Sequence, residues 1–223
     1  MFTRVQDSAG AVLAPLGQTG RVIDPRFVYL AAVISIIGTA GYIRDTLRGV
    51  TTPNRVTWGL WGVEGILAFV VELQQHVGLA AFMTLMFGLI PLLIVTVSFR
   101  GHHGVWRIGP FDVLCGSLSI AGVAFWAFVH EPTVALVSFV VADQLAGLPT
   151  IRKSWLMPSS ETAWTFFTGV INTLITIMSL RHFTTEGVLF PGAIFVTDLV
   201  IWALVAFDIG PRFRGERTVV GAT

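Results

Sequence analysis

Glu64, Asp143, Asn172 and Asp198 are polar side chains set inside long apolar stretches, each near the middle of its own stretch. An ionisable group at the centre of a lipid bilayer costs about 2.5 to 3.5 kcal/mol on insertion scales, so such residues face a cavity or a partner. Similar positions along their stretches put the four at one depth. A cavity shared at that depth would let them handle a proton, a cation or a polar solute. No Lys or Arg stands at that level to pair with them, which makes a proton, a bound cation or a cationic solute the natural partner. Each residue also has a plainer alternative. Asn172 could be glue between helices, a contribution of about 0.6 to 2 kcal/mol, and each acid could be a packed, protonated hydrogen-bond donor. Gln144 follows Asp143 directly and is placed to orient it.

Trp58, Trp61 and Trp164 open two of the apolar stretches. They read either as part of an interfacial aromatic belt or as a gate that stacks on a solute. Pro91 and Pro149 lie inside such stretches, where a missing amide donor kinks a helix. Gly38, Gly59, Gly65 and Gly88 are among the glycines that permit close helix approach. His102-His103 has no carboxylate or thiol at a ligand spacing, so no metal site is expected. Cys115 is the single cysteine, which excludes disulfides within the chain and CxxC chemistry. It reads as a small core residue. No cofactor is expected.

The elements that hold these residues follow from composition. Hydrophobic residues make up 54% of the 223 and charged residues 12%, with a mean hydropathy of +0.77, outside the range of water-soluble domains. A net charge of +1, without a long charge run, offers no surface for nucleic acid. Seven apolar stretches stand out, at 27–43, 56–75, 78–99, 111–129, 133–150, 163–180 and 187–207. Each is long enough for a hydrocarbon core about 30 Å thick at about 1.5 Å of rise per residue. Runs such as Ala31 to Ile37 and Leu89 to Val97 do not alternate in polarity, so barrel strands are excluded and helices remain. The expected fold is therefore an all-α integral membrane protein of seven transmembrane helices.

Orientation comes from Lys and Arg. Arg4, Arg21, Arg26 and Arg181 fall on one side, four in all, against Arg44, Arg48, Arg55, Arg100, Arg107, Arg152, Lys153, Arg212, Arg214 and Arg217, ten, on the other. The richer side is cytoplasmic by the positive-inside rule. This predicts a multi-pass protein of the cell (inner) membrane with its N-terminus outside and its C-terminus in the cytoplasm. Residues 1–26 read as a retained extracytoplasmic tail, because the patch Ala9 to Leu16 is too short to span. Residues 208–223 read as a cytoplasmic tail.

The chain also resembles itself. A shift of 106 residues places Ala40-Gly41 on Ala146-Gly147 and Trp58 on Trp164. In both places an apolar stretch ends near Ala-Gly, a basic loop with a proline follows, and the next stretch opens at or just before Trp. Two three-helix units of equal orientation need an odd number of linking helices, which predicts repeats at 27–99 and 133–207 joined by a linker, 100–132, with the fourth helix (3+1+3).

Leu148-Pro149-Thr150, Lys153-Ser154, Ser159-Ser160-Glu161-Thr162-Ala163-Trp164 and Phe167-Thr168-Gly169 resemble the second repeat of PQ-loop transporters, the superfamily that includes SWEET sugar carriers and cystinosin. Thr150 occupies the place of the motif's Gln. The resemblance implies a carrier whose two halves rock about a central site, with Pro149 as hinge. Glu64, Asp143, Asn172 and Asp198 would then be the substrate or proton pathway, and Trp58, Trp61 and Trp164 a gate. A small-molecule or ion substrate and the lipid bilayer are the expected partners, and a second copy of the chain is a compatible one. Other classes stay open. A receptor or scaffold would use the same helices without transport. An intramembrane enzyme lacks a zinc motif, a nucleophile elbow or a phosphate loop, so no enzymatic activity is expected. A retinal sensor would need a lysine in the last helix, and Lys153 is read as a loop residue.

Overall fold

The computed structural model describes residues 22–24, 26–74, 80–100, 106–129, 132–180, 183 and 185–215. The N-terminal tail up to Arg21, residues 216–223 of the C-terminal tail, and His76, His102, His103, His130, Glu131, Arg181 and His182 lie outside them, as does the side chain of Glu72. Among the described residues the chain is all-helical. It comprises α1 Phe27–Leu47, α2 Arg55–Gln74, α3 Ala80–Ser98, α4 Pro110–Phe128, α5 Pro132–Leu156, α6 Ala163–Met178, α7 Thr185–Ala206 and the short α8 Ile209–Phe213, with one turn of 3-10 helix at Pro158–Ser160.

Local chemistry sets several of the boundaries. Asn54 caps α2, its Oδ1 accepting from the amides of Val56 at 3.0 Å and Thr57 at 3.4 Å. The same side chain donates through Nδ2 to Asp112 Oδ1 at 2.8 Å, and Asp112 Oδ2 accepts the amide of Gly109 at 2.6 Å, fixing the start of α4. Two helix starts are thereby tied together by one buried amide. At the other end of α1, Gly49 adopts φ +74°, the left-handed conformation that closes a helix with little strain only for glycine.

Three helices among the described residues are long and apolar enough to cross a membrane, Phe27–Leu47, Pro110–Phe128 and Val188–Ala206, while Thr84–Ser98 and Ala163–Met178 are apolar but shorter. The distribution of polarity is inverted relative to a water-soluble domain. Glu64, Asp112, Asp143, Lys153, Glu161 and Asn172 are buried, whereas Val33, Ile37, Val113, Leu114, Ile120 and Phe125 are exposed.

Within the first set of helices α3 packs against both α1 and α2, and within the second α7 packs against both α5 and α6. Across the sets, α1 packs against α6 and α2 against α5. Exchanging α1 with α5 and α2 with α6 leaves that pair of contacts unchanged. Helix α4 lies against α2 and α5. Small residues make the closest approaches: a Cβ on Gly65 would meet the backbone of Gly88 at 2.5 Å, and one on Gly88 the amide of Ile66 at 2.7 Å. Gly59, by contrast, has open space beside it.

A candidate solute cavity and the polar latch at its end

Every third or fourth residue of a helix shares a face, so Trp58, Trp61 and Gly65 form one stripe along α2. That stripe lines a cavity of about 110 Å³ between the two sets of helices. From α1 it receives Ser35 and Thr39, from α5 Asp143, from α6 Phe166, Gly169 and Asn172, and from α7 Thr197 and Asp198.

Asp143 is held by a relay. Thr197 Oγ1 donates to Gln144 Oε1 at 2.5 Å, and Gln144 Nε2 donates to Asp143 Oδ2 at 3.0 Å. Gln144 therefore orients Asp143 as its place in the sequence suggests, and it does so with a second helix steering it. Trp61 Nε1 donates to the Asp143 carbonyl at 3.2 Å, tying α2 to α5 at the cavity wall. Asp198 packs on bare backbone: a Cβ added to Gly169 would collide with its carboxyl group. Asn172 is 1% exposed. Its Nδ2 donates to Ser35 Oγ at 2.6 Å, while its Oδ1 has no partner.

Three of the four residues expected to form a pathway thus meet at one cavity. Glu64 stands outside its lining. It is one residue from Gly65, about 100° round the helix, and that rotation turns it toward α4, where Ser119 Oγ donates to its Oε1 at 2.7 Å. Its Oε2 has no partner.

The three tryptophans separate in the same way. Trp58 is buried and packs edge-to-face on Trp61 with centroids 5.4 Å apart. Trp164 is 51% exposed and stacks on Phe167 at 5.6 Å, away from the cavity. Pro149 is buried within α5, which runs on to Leu156.

From Trp58, which lines the cavity, runs a chain of polar contacts absent from the sequence reading. Trp58 Nε1 donates to Tyr42 Oη at 3.0 Å, and Tyr42 Oη donates to Glu161 Oε2 at 2.7 Å. The other carboxylate oxygen of Glu161 accepts from Lys153 Nζ at 2.6 Å. Lys153 Nζ also donates to the carbonyls of Ser160 and Thr52. The loops themselves join, Thr52 N donating to Ser160 O at 3.0 Å and Thr51 Oγ1 meeting Thr162 Oγ1 at 2.6 Å. The connection after α1 is in this way locked to the connection after α5.

Lys153 corrects the sequence reading. It belongs to the last turn of α5 rather than to a loop, and its side chain is wholly shielded from solvent. A lysine ends a hydropathy window whether its ammonium is solvated or paired, so the stretch 133–150 stops short of the real helix end. Its one signal in the sequence is its solitude: it is the only lysine among fourteen basic residues, eight positions before a glutamate. No family model, curated protein or solved structure matches this chain.

Proposed function

We propose that this chain is an integral membrane carrier that moves a small polar solute by alternating access, built in the manner of PQ-loop transporters. In this reading α1 to α7 all cross the membrane, as two parallel three-helix units linked by α4. The neighbour relations of α3 and α7, together with the exchange of α1–α6 for α2–α5 contacts, support the duplication. The polar interior and apolar exterior support a lipid setting. Orientation rests on Lys and Arg. Taking the buried Lys153 out of the cytoplasmic ten leaves nine against four, so the preference for a cytoplasmic C-terminus in the inner membrane stands.

The observation that carries the proposal is the cavity where Asp143, Asn172 and Asp198 meet between the two sets of helices. Polar groups at membrane depth are retained where they serve a solute or a proton. The latch from Trp58 through Tyr42 and Glu161 to Lys153 closes the end of that cavity on the side of the loops after α1 and α5. In transport the two units rock apart there, with Pro149 as the bend in α5, and the latch parts and re-forms once per cycle. Asp143 or Asp198 takes up the proton where movement is proton-coupled, and Asn172 contacts the solute.

Proteoliposomes test this directly. Uptake of sugars, of cationic amino acids and of small organic amines, with and without a pH gradient, is expected to exceed that of empty liposomes for one of the three classes. Uptake equal to empty liposomes for all three, from protein that elutes as a single folded species, overturns the proposal.

A further inference from the structure

We infer that the cavity takes a small organic cation, an amine or quaternary ammonium group without a carboxylate of its own. The inference names a substrate class for the carrier proposed above and rests on that reading.

The lining is one-sided in charge. Asp143 and Asp198 both face the space, and among the described residues no Lys, Arg or His lines it. Two carboxyl groups lining one volume repel each other when both are ionised, and a cation between them removes the repulsion. Asn172 is an independent pointer. Its Oδ1 is an unpaired acceptor on a side chain 1% exposed, and a buried acceptor without a donor is destabilising. A ligand that brings N–H groups supplies the missing donor, and one that brings polarised methyl groups on a charged nitrogen supplies a weaker substitute. Oriented by Ser35 through Nδ2, the amide has its carbonyl free for this task.

The aromatic part of the wall favours an organic cation over an inorganic one. Trp58, Trp61, Phe87, Phe166 and Phe190 present aromatic surface to the same volume. Aromatic faces attract ammonium groups and suit alkylated nitrogen, whereas hard metal cations demand a shell of oxygens. Among the described residues no group of three or more His, Cys, Asp or Glu side chains is arranged to hold a metal ion. A solute carboxylate would meet Asp143 and Asp198 with no cationic side chain among the described residues of the lining to receive it, which disfavours amino acids and organic acids.

Binding and transport are measured separately, so that this inference and the carrier proposal fail independently. Purified full-length protein in nanodiscs is titrated with tetramethylammonium and methylammonium chloride, following tryptophan fluorescence, with potassium chloride and neopentyl alcohol as an inorganic cation and an uncharged molecule of similar shape. Saturable binding of an ammonium probe is expected, at least ~10-fold tighter than the alcohol. Asp198→Asn and Asp143→Asn are each expected to weaken it by ~10-fold or more. Gly169→Ala, which keeps both carboxyls but pushes Asp198 off the α6 backbone, is expected to weaken it too. Where Asp143→Asn fails to fold, Asp198→Asn and Gly169→Ala carry the test. Binding of the alcohol or of potassium at equal strength, or ammonium binding unchanged in Asp198→Asn and Gly169→Ala, overturns the inference. Ammonium binding in nanodiscs without counterflow in proteoliposomes supports the inference and overturns the carrier proposal, while sugar uptake without ammonium binding does the reverse.

Discussion

Lys153 Nζ and Glu161 Oε1 stand 2.6 Å apart with both side chains fully shielded, and the second Glu161 oxygen accepts from Tyr42 of α1. One carboxylate thus joins the end of α5 to the end of α1. Such a pair is costly to break by halves, because the remaining charge is buried alone. Lys153→Met or Glu161→Leu is expected to lower stability by about 3–5 kcal/mol, and the double variant Lys153→Met with Glu161→Leu by less than the sum. Chemical denaturation in detergent measures both; additive losses would mean the two do not act as a pair.

Gly65 and Gly88 let α2 and α3 touch backbone to backbone. Gly65→Ala forces the helices apart, since the new methyl would sit 2.5 Å from the Gly88 amide and backbone cannot rotate away. A loss of several kcal/mol is expected, whereas Gly59→Ala, with open space beside it, is expected to be neutral or to stabilise by up to about 1 kcal/mol through helix propensity. Thermal unfolding of the two single variants decides the point.

Trp61 and Trp164 are expected to behave oppositely. Trp61→Phe loses the hydrogen bond to the Asp143 carbonyl and part of the cavity wall, and uptake is expected to fall several-fold. Trp164→Phe alters an exposed ring away from the cavity and is expected to leave uptake within a factor of about two, since exposed substitutions are worth about 0.5 kcal/mol or less. Equal losses in both would restore Trp164 to the gate.

Glu64 satisfies one oxygen on Ser119 and leaves the other unpaired. Glu64→Gln preserves the contact with Ser119 and removes an ionisable group from a buried position, so stability is expected to hold or rise. A concurrent loss of pH-gradient-driven uptake would give Glu64 a part in proton movement from behind the cavity wall; unchanged uptake would make it a packing residue. Uptake with and without the gradient, beside a melting curve, reads out both.

Pro149 is buried inside a helix of 25 residues. Pro149→Ala restores an amide donor and stiffens α5, so stability is expected to hold or rise while the uptake rate falls. Unchanged rates in reconstituted vesicles remove the hinge.

Much of this architecture was legible in the residues. Long apolar runs force helices where no water can bond the backbone, and all seven runs overlap α1 to α7. Asp143, Asn172 and Asp198 stand near the middles of their runs, and helices packed side by side place such positions at similar heights, where the cavity gathers the three. Gln144 was marked by adjacency alone. What the sequence could not hold was rotation and pairing. Whether Glu64 faces Asp143 or Ser119 turns on about 100° of helix rotation, set by which small residues let α2 approach α3 and α5. The alliance of Lys153, Glu161, Tyr42 and Trp58 spans more than a hundred positions of sequence, and hydropathy counts a paired lysine as it counts a solvated one. Depth is a one-dimensional quantity that composition determines; direction and partnership are three-dimensional, and here the packing of α1 on α6 and α2 on α5 decides them.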